Sequence, residues 1–283
     1  MGLLALLGFK GSRDRNASTG ESLPLPLFPI GEYNAPVTLW ANSIRDLGQS
    51  QSCRLRKLVQ CKETTGSQHE FLLVFILHPS GKEAIVLVDR KETCSGSNSV
   101  LAGTDKQAWA VAAQKATRSD VVKVSYDGTR QCLTRHSSGY SEIHSLKFPK
   151  ASKAPSVAHL AALLMTLSRH SLPPTPGFEM QSSWFVYTAV EVLKEIFGGD
   201  EKMSKKWVRV PYGGMRVSVR DTVESLILEY TATWEEFSRG LRQKGSQLRV
   251  KDKKQKTVQQ EKKRAKKQEE MDSFADMLRT MNS

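Results

Sequence analysis

Two adjacent serines, Ser182 and Ser183, stand directly before a helical stripe that opens with Trp184 and Phe185. A hydroxyl in that place has two uses. It caps the helix by accepting from a free backbone N–H two or three residues on, or it attacks an acyl carbon when an aligned base and an oxyanion hole support it. The cap offered is single-sided, because Glu191 comes too late to complete a capping box. A base would have to come from the six histidines. His78 before Pro79, His136 in a polar loop and His170 at a helix end read as solvated residues. His159, between Ala158 and Leu160, suits half-buried packing, and His144 runs out of phase with Ile143 and Leu146, which leaves its face open. His69 differs, because it heads the most apolar strand of the chain. A histidine fixed at a strand end is placed for general-base work, with packing at the edge of the core as its plainer reading.

Other chemistry finds little support. Gly213-Gly214 is not followed by the Lys-Ser/Thr of a phosphate loop, and neither a GxSxG elbow nor an HExxH helix occurs. Cys53, Cys61, Cys94 and Cys132 form no CxxC pair and no Cys/His cluster with zinc spacing. Reduced thiols in a cytoplasmic or nuclear compartment are expected, with no metal and no cofactor.

The elements that must position His69 and Ser182 show in the periodicity. "HEFLLVFIL" and "EAIVLVDR" are β-branched, apolar runs joined by "HPSGK", which predicts an antiparallel hairpin. Both faces of each run are apolar, so the hairpin belongs in the middle of a covered sheet. "VTLWAN", "CRLRKLVQC", "DVVKVSYDG" and "SEIHSLKF" read as further strands, and "WVRVPYGGMRVSV" as a late strand-like piece. "DKQAWAVAAQKAT" has helix-forming composition. In "APSVAHLAALLMTLSRHS", Val157, Leu160, Ala161, Leu164 and Leu167 share one helical face. The prolines of "LPPTPG" stop that helix, Gly198-Gly199 stop the one after the serines, and a longer stripe runs from Val223 to Leu241. Strands first and helices after argue for one α+β domain over residues 37–241, an antiparallel sheet covered by helices. A flexible leader is expected over residues 1–36, where Ser, Gly and Pro are frequent.

Charge divides the chain unevenly. Of the net +13, thirteen Lys/Arg against four Asp/Glu place +9 between Arg239 and Glu270. Residues 271–283 carry −1, which leaves +5 for residues 1–238. The basic tail over 242–270 is built of helix formers without an apolar seam, so it is disordered or helical but buries no face. Lys251, Lys253, Lys254, Lys256, Lys262, Lys263, Arg264, Lys266 and Lys267 are its candidate anion-binding residues, for nucleic acid or an acidic protein. No aromatic residue interleaves them, so base stacking is not expected, and a solvated tail without a dedicated partner is the equal alternative. Residues 271–283 recover Phe274, Met277, Leu278 and Met281 at helical spacing, as a short amphipathic helix. No apolar run approaches the length of a transmembrane helix, and a soluble protein is expected.

"HEFLLVFIL…EAIVLVDR", followed by "SSWFVYTAVEVL", resembles lecithin–retinol-acyltransferase-like proteins of the papain-like cysteine peptidase superfamily. The run "LKFP…PSVAHLAALLMTLS…P…WF" is also similar to uncharacterised proteins of mushroom-forming fungi that carry an HEF motif early and an NCxWF or NCWWF motif later. The resemblance covers residues 69–197 and implies a papain-like fold. It places His69 at the base, Ser182 at the nucleophilic Cys with Gln181 at the preceding Asn, and Asp89 at the residue that orients the histidine. Ser183 takes the nucleophile's place if the alignment slips by one. The departure matters chemically: a thiol near pKa 8.5 ionises readily beside a helix N-terminus and a histidine, and a serine hydroxyl does not. The expectation is therefore a catalytically silent papain-like binding protein. The alternatives are an active Ser/His hydrolase or acyltransferase, and an adaptor that works through its basic tail.

Overall fold

The computed structural model describes residues 23–65, 69–94, 116–135, 139–150, 153–170, 178–204 and 219–281. Its strands are β1 (Tyr33–Pro36), β2 (Arg54–Glu63), β3 (Glu70–Leu77), β4 (Glu83–Cys94), β5 (Ala116–Val124), β6 (Tyr140–Lys147) and β7 (Asp200–Met203). The helices are α1 (Val37–Asp46), a single turn α2 (Gln131–Thr134), α3 (Val157–Arg169), α4 (Phe178–Phe197) and α5 (Val219–Met281). The protein is α+β, an antiparallel sheet covered by helices.

The seven strands pair antiparallel throughout in the order β1-β5-β4-β3-β2-β6-β7, with the hairpin strands β3 and β4 at the centre. Their two apolar faces have separate destinations. Leu72, Val74 and Ile76 join Val86 and Val88 in the main core, whereas Phe71, Leu73 and Phe75 join Ile85, Leu87, Val59 and Cys61 in a second cluster behind the sheet. The hairpin turn closes where the His78 N–H donates to the Lys82 carbonyl at 2.9 Å and Gly81 takes φ +83°, a conformation open to glycine at little cost.

The main core is filled by Trp40 and Ile44 of α1, Leu160 and Leu164 of α3, Phe185 and Val192 of α4, and Leu226, Tyr230 and Phe237 of α5. The second face receives Leu133 and the partly buried Cys132 from α2.

Three segments differ from their sequence-based reading. "VTLWAN" is helical, not a strand: Val37, Trp40, Ala41 and Ile44 recur at helical spacing and all are buried. Packing therefore decides for the helix over the β propensity of Val37 and Thr38. The folded chain also begins ahead of Val37, because Leu27 is fully buried, Trp40 Nε1–H donates to the Pro26 carbonyl at 3.2 Å, and β1 pairs with β5. Finally, β7 was not foreseen: "DEKM" has no apolar alternation, and all four residues stay exposed while pairing with the edge of β6. The helix read in "DKQAWAVAAQKAT" falls on residues outside those described, apart from its last two, which open β5. Most of the late strand-like piece also lies outside them.

α4 ends as its glycines require. Gly198 N–H donates to the Lys194 carbonyl at 2.8 Å with φ +68°, and Gly199 follows at φ +130°. A Cβ on Gly199 would come within 2.8 Å of both Leu146 Cδ1 and the Lys147 carbonyl oxygen. α5 is a single helix of 63 residues, about 95 Å at 1.5 Å per residue. It crosses both tail boundaries without a break, so the basic segment is helical.

Candidate functional site

The start of β3 gathers the three residues on which catalysis would depend. His69 immediately precedes the strand. Asp89 lies on β4, one position beyond the Leu72–Val88 pair. Alternation turns Asp89 and Arg90 to opposite faces of the sheet. Arg90 goes to the helix side, where it forms a bidentate pair with Asp120 at 2.7 and 2.8 Å, donates to the Leu167 carbonyl at 2.9 Å and lies 4.3 Å over the Phe185 ring. Asp89 faces the second cluster, and there its carboxylate oxygen Oδ1 accepts from His69 Nε2. Asp89 is almost fully buried, and the His69 side chain keeps 21% of its surface.

Ser182 reaches the same strand from the helix side. Its Oγ accepts the Glu70 backbone N–H at 3.4 Å. His69 and Asp89 thus meet on the second-cluster side of the sheet, and Ser182 reaches the Glu70 backbone of the same strand from the helix side.

The local structure corrects the cap reading. α4 starts at Phe178, so Ser182 and Ser183 are its fifth and sixth residues. At the fifth position a backbone N–H already has a carbonyl four residues back, and no orphan donor remains there for a serine to cap. The Ser182 oxygen instead serves a neighbouring strand, and the residue is 1% exposed.

Around this contact lies a polar group that the sequence reading missed. Gln60 Nε2–H donates to Glu70 Oε2 at 2.6 Å, and Lys62 Nζ stands 3.8 Å from Glu70 Oε1. Glu70 and Gln60 are both buried on the face of Leu72 and Leu58, where alternation alone would have placed apolar residues. That mismatch between polarity and phase was the available signal. Gln181, next to Ser182, is buried as well, and its Oε1 and the Gln60 Oε1 accept no hydrogen bond.

The other histidines take structural places. His78 is buried, contrary to the solvated reading: its Nδ1 accepts the Ser80 N–H at 3.1 Å and its ring meets Phe28 edge-on. His159 completes a capping box with Ser156 and stacks 3.8 Å from Trp234, and burial pushes its pKa down to about 4. His136 lies outside the described residues. His170 packs on Trp184 with ring centroids 5.5 Å apart.

His144 is buried against Glu201 of β7 at 2.8 Å, and burial lowers its pKa. With Glu191 it forms a His/Glu/Glu group whose ligand atoms lie within 4.8 Å of one another. The Lys194 ammonium already bridges both carboxylates, at 3.3 Å from Glu191 and 3.1 Å from Glu201. A cation of the chain itself thus offsets part of the group's negative charge, and the group reads as a clasp that holds β7 to α4.

Cys53, Cys61 and Cys132 are free thiols, and burial raises the pKa of Cys53 to about 11 and pushes Cys61 up as well. Neither of these two is a poised thiolate. The tail residues Lys254, Lys262, Lys263 and Arg264 are exposed on α5, well past Leu241, the last buried apolar residue described on that helix. Among the described residues no helix is long and apolar enough to cross a membrane. Comparison with models of protein families, with curated proteins and with solved structures finds no match for the chain.

Proposed function

We propose that the protein is a catalytically silent binding protein of papain-like outline, in which the constellation of a hydrolase is kept as structure. The observation that carries this reading is the state of Ser182: the residue is 1% exposed and its hydroxyl accepts a backbone N–H from Glu70. A nucleophile must present its oxygen to an acyl carbon and pass its proton to a base. An oxygen that is buried and already accepts a strand N–H meets the first demand poorly. A thiol ionises with far less help than a hydroxyl, which is why a serine where the resemblance places a cysteine weighs heavily. The His69–Asp89 pair then acts as a buried polar tie between β3 and β4.

The competing reading is an active Ser/His hydrolase or acyltransferase, in which Asp89 orients His69, His69 deprotonates Ser182 and Ser182 attacks an ester or amide carbonyl. A fluorophosphonate probe separates the two. The silent reading expects no labelling of the native protein. Labelling of the native chain that disappears in Ser182→Ala would establish the hydrolase instead.

A further inference from the structure

We infer that the basic part of α5 is a binding element for duplex DNA that lies in the major groove and reads no sequence. This goes beyond the silent-site proposal and does not depend on the state of Ser182.

The helix leaves the core at Leu241, before the dense run of cations that starts at Lys251. Phe237 and Leu241 are buried, whereas every side chain described from Lys254 to Met271 is exposed. Between Lys251 and Lys267 the chain has nine Lys/Arg against two Asp/Glu. Each helical residue advances by about 100° around the axis, from 3.6 residues per turn. Lys262, Lys263 and Arg264 are consecutive and exposed, so they occupy three sides. Lys254, eight residues earlier and also exposed, takes the remaining quadrant. Cations therefore surround the helix.

That arrangement selects among polyanions. A lipid surface meets one side of a helix and requires an apolar face to enter the bilayer. Val258 and Ala265 are the only apolar side chains described between Lys254 and Gln268. An acidic partner helix would need an apolar seam, and this stretch has none. Single strands are held by aromatic stacking, and no aromatic residue occurs between Phe237 and Phe274. The major groove of B-DNA is about 12 Å wide with phosphates along both walls, and a helix is about 10–12 Å across. A helix charged on all sides pairs with both walls at once. The segment from Lys251 to Lys267 spans about 26 Å at 1.5 Å per residue, within one turn of the duplex. The deep, narrow major groove of A-form RNA does not admit it.

The test is fluorescence anisotropy of the full chain with two labelled 24-base-pair DNA duplexes of unrelated sequence (about two turns each), titrated with NaCl. Both duplexes are expected to bind alike, with affinity falling about 1,000-fold or more between 50 and 200 mM salt. Lys262→Gln/Lys263→Gln/Arg264→Gln is expected to flatten the log–log salt slope by about 2.7, at 0.9 per lost phosphate contact. Circular dichroism would verify that its helix is intact. The proposal is overturned if duplex DNA fails to bind at 50 mM salt or if the triple variant keeps the native slope. It is equally overturned if A-form RNA, phosphatidylserine vesicles or polyglutamate bind as tightly as the DNA. Ser182→Ala is expected to bind DNA normally, so failure here and failure of the silent-site reading are separate results.

Discussion

Glu70 donates its backbone N–H to Ser182 Oγ, a contact of 3.4 Å between residues 112 apart in the chain. It ties the second turn of α4 to the first residue of β3. Ser182→Ala removes the acceptor from a buried donor, and stability in urea is expected to fall by about 1–2 kcal/mol. Ser183→Ala, at a half-buried neighbour, is expected to stay within about 0.5 kcal/mol. Equal effects of the two changes would remove Ser182 from its tethering role.

The His69–Asp89 pair spans two central strands and is much more buried on the Asp89 side. His69→Ala leaves that carboxylate without its ring partner, and removing one member of a buried pair costs more than losing its attraction. A double-mutant cycle with His69→Ala and Asp89→Ala is expected to give a coupling of about 1 kcal/mol or more. Additive effects in thermal melts would show the pair to be energetically idle.

Two glycines should respond to alanine in opposite directions. Gly199→Ala places a Cβ 2.8 Å from the Lys147 carbonyl oxygen at φ +130°, and a loss of about 2 kcal/mol or more is expected. Gly245→Ala meets nothing within 4 Å in the interior of α5 and should raise helicity, by about 0.5–1 kcal/mol in helix propensity. Urea titration checks the first and far-ultraviolet circular dichroism the second.

Stability should depend on pH through His159, whose pKa burial lowers to about 4, and through His144, which burial lowers as well. Arg54 lowers His159 further, whereas at His144 Glu201 and Glu191 act against burial and Lys194 acts with it. A histidine kept neutral in the fold but free to protonate when unfolded binds more protons in the unfolded state. Stability is then complete above about pH 6.5, the ordinary histidine value, and declines as pH falls toward 4. His159→Gln should flatten the urea midpoint over that window, and an unchanged slope would remove His159 as its source.

A chain ending at Gln247 keeps Phe237, Leu241 and the ion pair between Lys244 and Asp46 at 3.6 Å. Its melting temperature is expected within about 2 °C of the full chain, since solvated residues contribute little. A fall well beyond that would mean that the distal helix supports the core.

The central hairpin was legible in the sequence because two β-branched runs around Pro-Ser-Gly leave few alternatives, and both of its faces are apolar. The stripes of α3, of α4 and of the first part of α5 were legible for the same reason, since period alone assigns them. His69 and Ser182 could be named as a pair only through resemblance, and nothing local to either residue brings them together. Tertiary structure decided the rest. It made "VTLWAN" a helix, because burying Trp40 and Ile44 on one face outweighs strand propensity. It paired "DEKM" with β6 although every one of its residues stays exposed, because the open edge of β6 supplied unpaired backbone partners. It also started α4 at Phe178, which moved Ser182 from a cap into the helix body and turned its hydroxyl toward a strand. Side-chain type and spacing propose which groups can react. Only packing determines which of them stay accessible, and here it has placed Ser182 beneath the surface and left Ser183 half-buried.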